Sequence, residues 1–261
     1  MSQLFYQLDG PPGKPLLVFL HGFLGSSEDW NFAVTHFVSH YSCLRVELPG
    51  HGRTRLADPQ LYCMPAAARL LVELLVQLKM SKAHLLGYSM GGRLALYLAN
   101  HYPDRFLKII LESASPGIED PPEQKQRQEQ DESLAQALEK KGLQQFLQEW
   151  YRQPLFQNLS LLPLFNEMYQ RRLQNDPLEL AKSLRLMGTG VQPSLWSRLP
   201  EIQMPVLLLT GEKDKKFREI ALKMRQRNPQ FQVSVIEDCG HTIHFENEEK
   251  FLQGVSSFLL I

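Results

Sequence analysis

The stretch Gly87-Tyr88-Ser89-Met90-Gly91-Gly92-Arg93 sets one serine between two glycines, in the pattern Gly-x-Ser-x-Gly, directly after the apolar run Ala83 to Leu86. The residues beyond it, Leu94, Ala95, Leu96, Leu98 and Ala99, include strong helix formers and stop before His101-Tyr102-Pro103. Ser89 is therefore predicted on a tight strand-to-helix turn. The glycines there remove side chains that would collide with neighbouring elements, and the serine hydroxyl is left exposed. The Met90 N–H, at the positive end of the helix, faces any oxygen that approaches the serine. A serine is a weak nucleophile or base at neutral pH. It needs an imidazole within hydrogen-bond reach and a carboxylate that orients the imidazole.

Both partners occur later in the chain. The apolar run Pro205 to Thr210 ends in Gly211-Glu212-Lys213-Asp214, and the strand pattern Gln232 to Ile236 leads into Asp238-Cys239-Gly240-His241. Asp214 is favoured over Glu212 because it lies farther into the loop, with more reach toward a histidine. His241 is favoured over His244, with Gly240 supplying loop freedom. His241 and His244 have His-x-x-His spacing, but no third ligand accompanies them and no metal is expected. Upstream, the glycines of His21-Gly22-Phe23-Leu24-Gly25 let backbone approach closely, and Phe23 is the candidate for a second N–H donor toward a developing oxyanion. His51, in Pro49-Gly50-His51-Gly52, reads as a turn residue.

These residues need a scaffold that gathers them on one edge. Strand patterns at Leu4 to Leu8, Leu16 to Leu20, Cys43 to Leu48, Ala83 to Leu86 and Phe106 to Leu111 alternate with helical ones, including Met64 to Leu78, which implies parallel strands and crossover helices. Trp30 reads as a core anchor on a helix. From Ile118 to about Trp196 the rhythm changes to helices alone: about Glu123 to Lys140, Leu143 to Tyr151, Leu161 to Asn175 and Leu178 to Met187. This predicts a helical cap, residues 118–196, inserted into an α/β core of residues 1–117 and 197–261. The core resumes with helix Phe217 to Arg227 and ends with helix Glu248 to Leu259. Ser89, Asp214 and His241 then all fall at carboxyl ends of parallel strands, the edge where open α/β sheets bind ligands. Their order along the chain is that of an α/β-hydrolase.

At 261 residues and 43% hydrophobic, the chain can bury one substantial core. Lys+Arg and Asp+Glu number 28 each, so no global field attracts nucleic acid or an anionic membrane. No run is long enough to span a bilayer, and Met1 to Pro15 lacks the pattern of a secretion signal, so a cytoplasmic protein is expected. Cys43, Cys63 and Cys239 read as free thiols. Oligomeric state is left open, with a monomer slightly favoured.

The chain as a whole resembles an α/β-hydrolase-fold enzyme with a mostly parallel sheet flanked by helices. It is similar in particular to the 2-succinyl-6-hydroxy-2,4-cyclohexadiene-1-carboxylate synthases of menaquinone biosynthesis. The similarity rests on Leu17 to Phe23, Glu47 to Gly52 and Gly87 to Arg93. More specific are Glu112 with Pro116-Gly117, Arg127 and Asp131, Trp150 to Phe156, and Val191-Gln192-Pro193-Ser194-Leu195. The resemblance implies a cofactor-independent lyase that eliminates pyruvate from a small polycarboxylate, with Ser89, activated by His241 and Asp214, acting as a base. It further implies that Arg93, Arg127 and Arg172 bind substrate carboxylates and that Tyr88 and Trp150 line the pocket. A shift of one residue would exchange Arg172 for Arg171. Without the resemblance, Arg127 would read as a solvated helix charge and Trp150 as a cap anchor. A serine esterase or thioesterase is the alternative function, and a non-catalytic binding protein of the same fold the third.

Overall fold

The computed structural model describes residues 4–260; residues 1–3 and 261, counted in the expected core, lie outside them. Seven strands form one sheet: β1 Tyr6–Asp9, β2 Leu16–Leu20, β3 Ser42–Val46, β4 Ala83–Tyr88, β5 Phe106–Glu112, β6 Val206–Gly211 and β7 Gln232–Ile236. The spatial order is β1-β3-β2-β4-β5-β6-β7, with β1 antiparallel to β3 and every other pair parallel. The central strand β2 is apolar throughout and β4, β5 and β6 are largely so, because both faces are covered. Alternation along β2 shows the division: Leu16, Val18 and Leu20 enter one core cluster, Leu17 and Phe19 the other. Each such leucine removed from water contributes about 2 kcal/mol.

The first face is covered by α2 Met64–Gln77, α3 Met90–His101 and α8 Lys215–Arg227, and the second by α1 Asn31–Phe37 and α10 Glu248–Leu259. Trp30 closes a short 3-10 turn, Ser27–Trp30, rather than sitting within a helix; Ser26 and Asp29 form a reciprocal capping box there.

Between β5 and β6 lie α4 Pro121–Lys141, α5 Leu143–Trp150, α6 Phe165–Arg172 and α7 Pro177–Met187. Their apolar faces form a third cluster, including Leu138, Phe146, Met168 and Leu180, which also takes in Leu24 from the loop after β2 and Phe245 from the segment after β7. The helix predicted over Leu161 to Asn175 is shorter. A 3-10 turn, Leu159–Leu161, is followed by Leu162 with extended backbone (ψ 142°), and α6 starts only at Phe165. Pro163 is the reason, since a residue preceding proline is driven out of the helical region. A one-turn helix, α9 Ile243–Glu246, follows His241 and was not predicted. No described helix is long and apolar enough to cross a membrane.

Candidate active site

Ser89 joins β4 to α3 with φ 49° and ψ −106°, a strained conformation for a residue with a side chain. The strain is held from both sides, since Ser89 N–H donates to the Glu112 carbonyl (2.8 Å) and Arg93 N–H donates to the Ser89 carbonyl (2.9 Å). The close packing explains the glycines. A Cβ on Gly87 would lie 2.5 Å from the Gly91 carbonyl oxygen, and one on Gly91 would collide with the Leu20 carbonyl at the end of β2.

At the next strand ends, His241 Nδ1 and Asp214 Oδ2 are 2.6 Å apart, both side chains being buried. Asp214 has a second task, because its Oδ1 accepts the Phe217 N–H and caps α8, which helps to fix the carboxylate. Gly211 permits the approach: a Cβ there would strike the carbonyls of Cys239 and Gly240. Glu212 points elsewhere and accepts the Asp238 N–H at 3.1 Å. His244 is engaged below the site, where its Nδ1 is 2.9 Å from both Glu112 oxygens and its ring stacks on Trp30. Among the described residues no group of three or more His, Cys, Asp or Glu could hold a metal ion. His51 is buried in its turn with Nδ1 3.1 Å from the Pro49 carbonyl.

Ser89 and His241 line one cavity of about 680 Å³, together with Phe23, Tyr88, Met90, Arg93, Arg127, Trp150 and Arg172. The sheet edge supplies its floor and the β5–β6 helices its roof. Tyr88 stands between the two histidines, its ring centroid 5.5 Å from His241 and 4.6 Å from His244. Burial raises its phenol well above the ordinary range, so it is a neutral wall. Trp150 meets Phe23 edge to face at 5.4 Å and stacks on Phe146 at 5.6 Å; it both packs the roof and lines the cavity.

The three arginines differ in how they are held. Arg172 forms a two-pronged ion pair with the buried Asp29, each prong 2.8 Å long. Burial opposes both charges, and their mutual attraction outweighs it: Asp29 is held below the ordinary carboxylate range and Arg172 above the ordinary guanidinium range. Arg171 bonds Glu167 at 2.7 Å, lies 3.8 Å from Asp29 Oδ1 and is outside the cavity lining. Arg127 Nε donates to Asp131 at 2.8 Å. Arg93 is buried with neutral acceptors, Met187 O at 3.0 Å and Gln192 Oε1 at 2.9 Å. Burial, reinforced by the nearby Arg127, lowers its pKa to about 10, which leaves it cationic at neutral pH. Of the three, only Arg93 has neutral partners, and the cavity lining also carries Lys216 and Lys223 beside the carboxylates of Glu119, Asp120, Glu123 and Glu219.

Asp29 and Glu246 are functional candidates that sequence reasoning did not single out, and Gln192 entered it only as part of the Val191 to Leu195 segment, with no role given. The Ser26 to Asp29 spacing signals a cap, but nothing local signals a partner 143 residues away.

A strained serine after one strand, and a carboxylate-paired histidine beyond two others on the same edge, define the α/β-hydrolase class. The α/β hydrolase fold family matches residues 15–248. A Bacillus subtilis protein provisionally named 2-succinyl-6-hydroxy-2,4-cyclohexadiene-1-carboxylate synthase is 37% identical over 254 residues, covering 96% of this chain and 92% of that protein. The synthase of that name from Enterobacter sp. is 34% identical over 238 residues, covering 91% and 89%. The solved structure of MenH from S. aureus superposes with a TM-score of 0.94 at 37% identity, covering 98% of this chain and 97% of that one. The chain belongs to the 2-succinyl-6-hydroxy-2,4-cyclohexadiene-1-carboxylate synthase family.

Proposed function

We propose that this enzyme eliminates pyruvate from 2-succinyl-5-enolpyruvyl-6-hydroxy-3-cyclohexene-1-carboxylate, a lyase step of menaquinone biosynthesis. The observation that carries this reading is the meeting of Ser89, the Asp214–His241 pair and three arginines around one cavity. A plain acyl pocket would be apolar. An anionic ring substrate accounts for the arginines, whose planar forks match carboxylates.

In this reading Ser89, with His241 taking its proton, removes the ring proton alpha to the succinyl carbonyl. Asp214 holds His241 with Nδ1 protonated, leaving Nε2 as the basic nitrogen. The electron pair moves toward the carbonyl oxygen, where the N–H groups of Phe23 and Met90 receive the charge. It returns through the ring, the double bond shifts, and the ring C–O bond to enolpyruvate breaks. Enolpyruvate leaves, takes up a proton and becomes pyruvate, while the ring, which began with one double bond, is left with two. No acyl-enzyme forms and no oxidant or reductant is required. Arg93, Arg127 and Arg172 hold the carboxylates, Tyr88 and Trp150 shape the apolar walls, and the helices of residues 118–196 act as a cap that closes the cavity from water. The small-molecule substrate needs no nucleic acid or membrane partner.

The test is to supply the enolpyruvyl substrate and follow pyruvate together with the absorbance of the conjugated diene. The two should rise in step. Absence of pyruvate, with rapid turnover of p-nitrophenyl esters, would replace the lyase by an esterase.

A further inference from the structure

His241 is held by Asp214 at its ring, but its backbone is held by another carboxylate. Glu246, the last residue of α9, accepts the Gly240 N–H through Oε2 (2.6 Å) and the Thr242 N–H through Oε1 (3.1 Å), so the two amides flanking His241 converge on one side chain. The Thr242 hydroxyl adds a further bond to Oε1 at 3.0 Å. Oε2 also accepts from Asn158 Nδ2 at 3.1 Å, and Asn158 lies in the segment between α5 and α6, in the cap. The same segment touches the histidine directly, with the Phe156 ring 6.1 Å from that of His241 in an edge-on arrangement. Gly240 is fitted to this junction: a Cβ there would lie 3.0 Å from Glu246 Oε1 and 3.2 Å from Asn158 Nδ2.

We propose that Glu246 is a positioning residue for His241 and that Asn158 couples the seating of the cap to that position. The proposal rests on the assignment of His241 as the base relay. Two charge-assisted bonds to the amides on either side of His241 remove the freedom of a loop that Gly240 would otherwise loosen. The Asn158 bond then makes the clamp complete only when the cap segment is seated, so the imidazole is aligned when the cavity is covered. An imidazole displaced by a fraction of an ångström still meets substrate in the same pocket but takes the proton poorly. The loss should therefore appear in kcat and not in KM.

The experiment compares wild type with Glu246→Gln, Glu246→Ala, Asn158→Ala and the Glu246→Ala/Asn158→Ala double variant. Glu246→Ala should lower kcat for pyruvate release about 100-fold, with KM within about twofold. Glu246→Gln, of the same size, keeps one acceptor oxygen and turns an NH2 toward the other amide; it should fall between Glu246→Ala and wild type and should fold normally. Asn158→Ala should lower kcat about fivefold in the wild-type background and have no further effect beside Glu246→Ala, because both act through one clamp. Unchanged kcat in Glu246→Ala, or equal Asn158→Ala losses in both backgrounds, overturns the proposal. Failure of wild type to release pyruvate would instead refute the assigned reaction. Hydrogen exchange at the Gly240 and Thr242 amides decides the clamp without substrate: faster exchange in Glu246→Ala supports it, and equal exchange overturns it.

Discussion

Ser89 holds a positive φ because Gly87, Gly91 and Gly92 leave room for nothing else, and the strain places its hydroxyl at the cavity floor. Replacing it tests chemistry with little disturbance of structure. Ser89→Ala should reduce kcat for pyruvate release by at least about 1000-fold while the thermal midpoint stays within a few degrees; activity within tenfold of wild type would remove the serine from the mechanism. At this scale Ser89, Asp214 and His241 were readable because each follows a strand pattern and a glycine. The arginines became readable only through family resemblance, since an arginine on a polar helix such as α4 carries no local mark of its partner. Asp29 and Glu246 were silent for the same reason. Their bonds to Arg172 and to the His241 loop depend on how distant segments fold together.

Strand and most helix identity followed from apolar periodicity, whereas the expected helix Leu161 to Asn175 is shortened where Pro163 interrupts the pattern and the one-turn α9 is too short to show a period. How the helices of residues 118–196 sit on the core could not be read from periodicity at all. Part of the answer is the Asp29–Arg172 pair, which ties α6 to the loop after β2. Asp29→Asn leaves Arg172 buried beside a neutral group and should lower unfolding free energy by about 3 kcal/mol. The folded-state pKa of Asp29 is depressed, so its contribution is fully present above the unfolded value of about 3.9 and is lost only as pH falls through the lower folded value. Denaturant unfolding at pH 5 and pH 8 should therefore give the same gap between wild type and variant. A gap that closes at pH 5 would mean the carboxylate is not held by the arginine.

For the molecule as a whole, the sheet order places β4, β5, β6 and β7 side by side, so Ser89 and His241 line one cavity and Asp214 pairs with the histidine, although Ser89 and His241 stand 152 positions apart in the chain (241 − 89). The scaffold has its own pH dependence through buried histidines. Burial lowers the pKa of His21, His51 and His84, the last to about 4. In the unfolded chain a histidine binds its proton near pH 6.5, so stability should fall as pH drops through that value and level off above it. Between pH 7.5 and 5, His84→Gln should lose about 1 kcal/mol less than wild type, after allowance for screening by water. Equal losses would mean that His84 titrates normally in the folded protein.

The central claim, that a serine elbow here works as a base and not as a nucleophile, is tested most directly by a single-turnover reaction. The substrate would carry deuterium on the ring carbon alpha to the succinyl carbonyl. Slower pyruvate release than from the unlabelled substrate, with no adduct on Ser89 by mass spectrometry, is the predicted result. Equal rates together with a covalent Ser89 intermediate would contradict it.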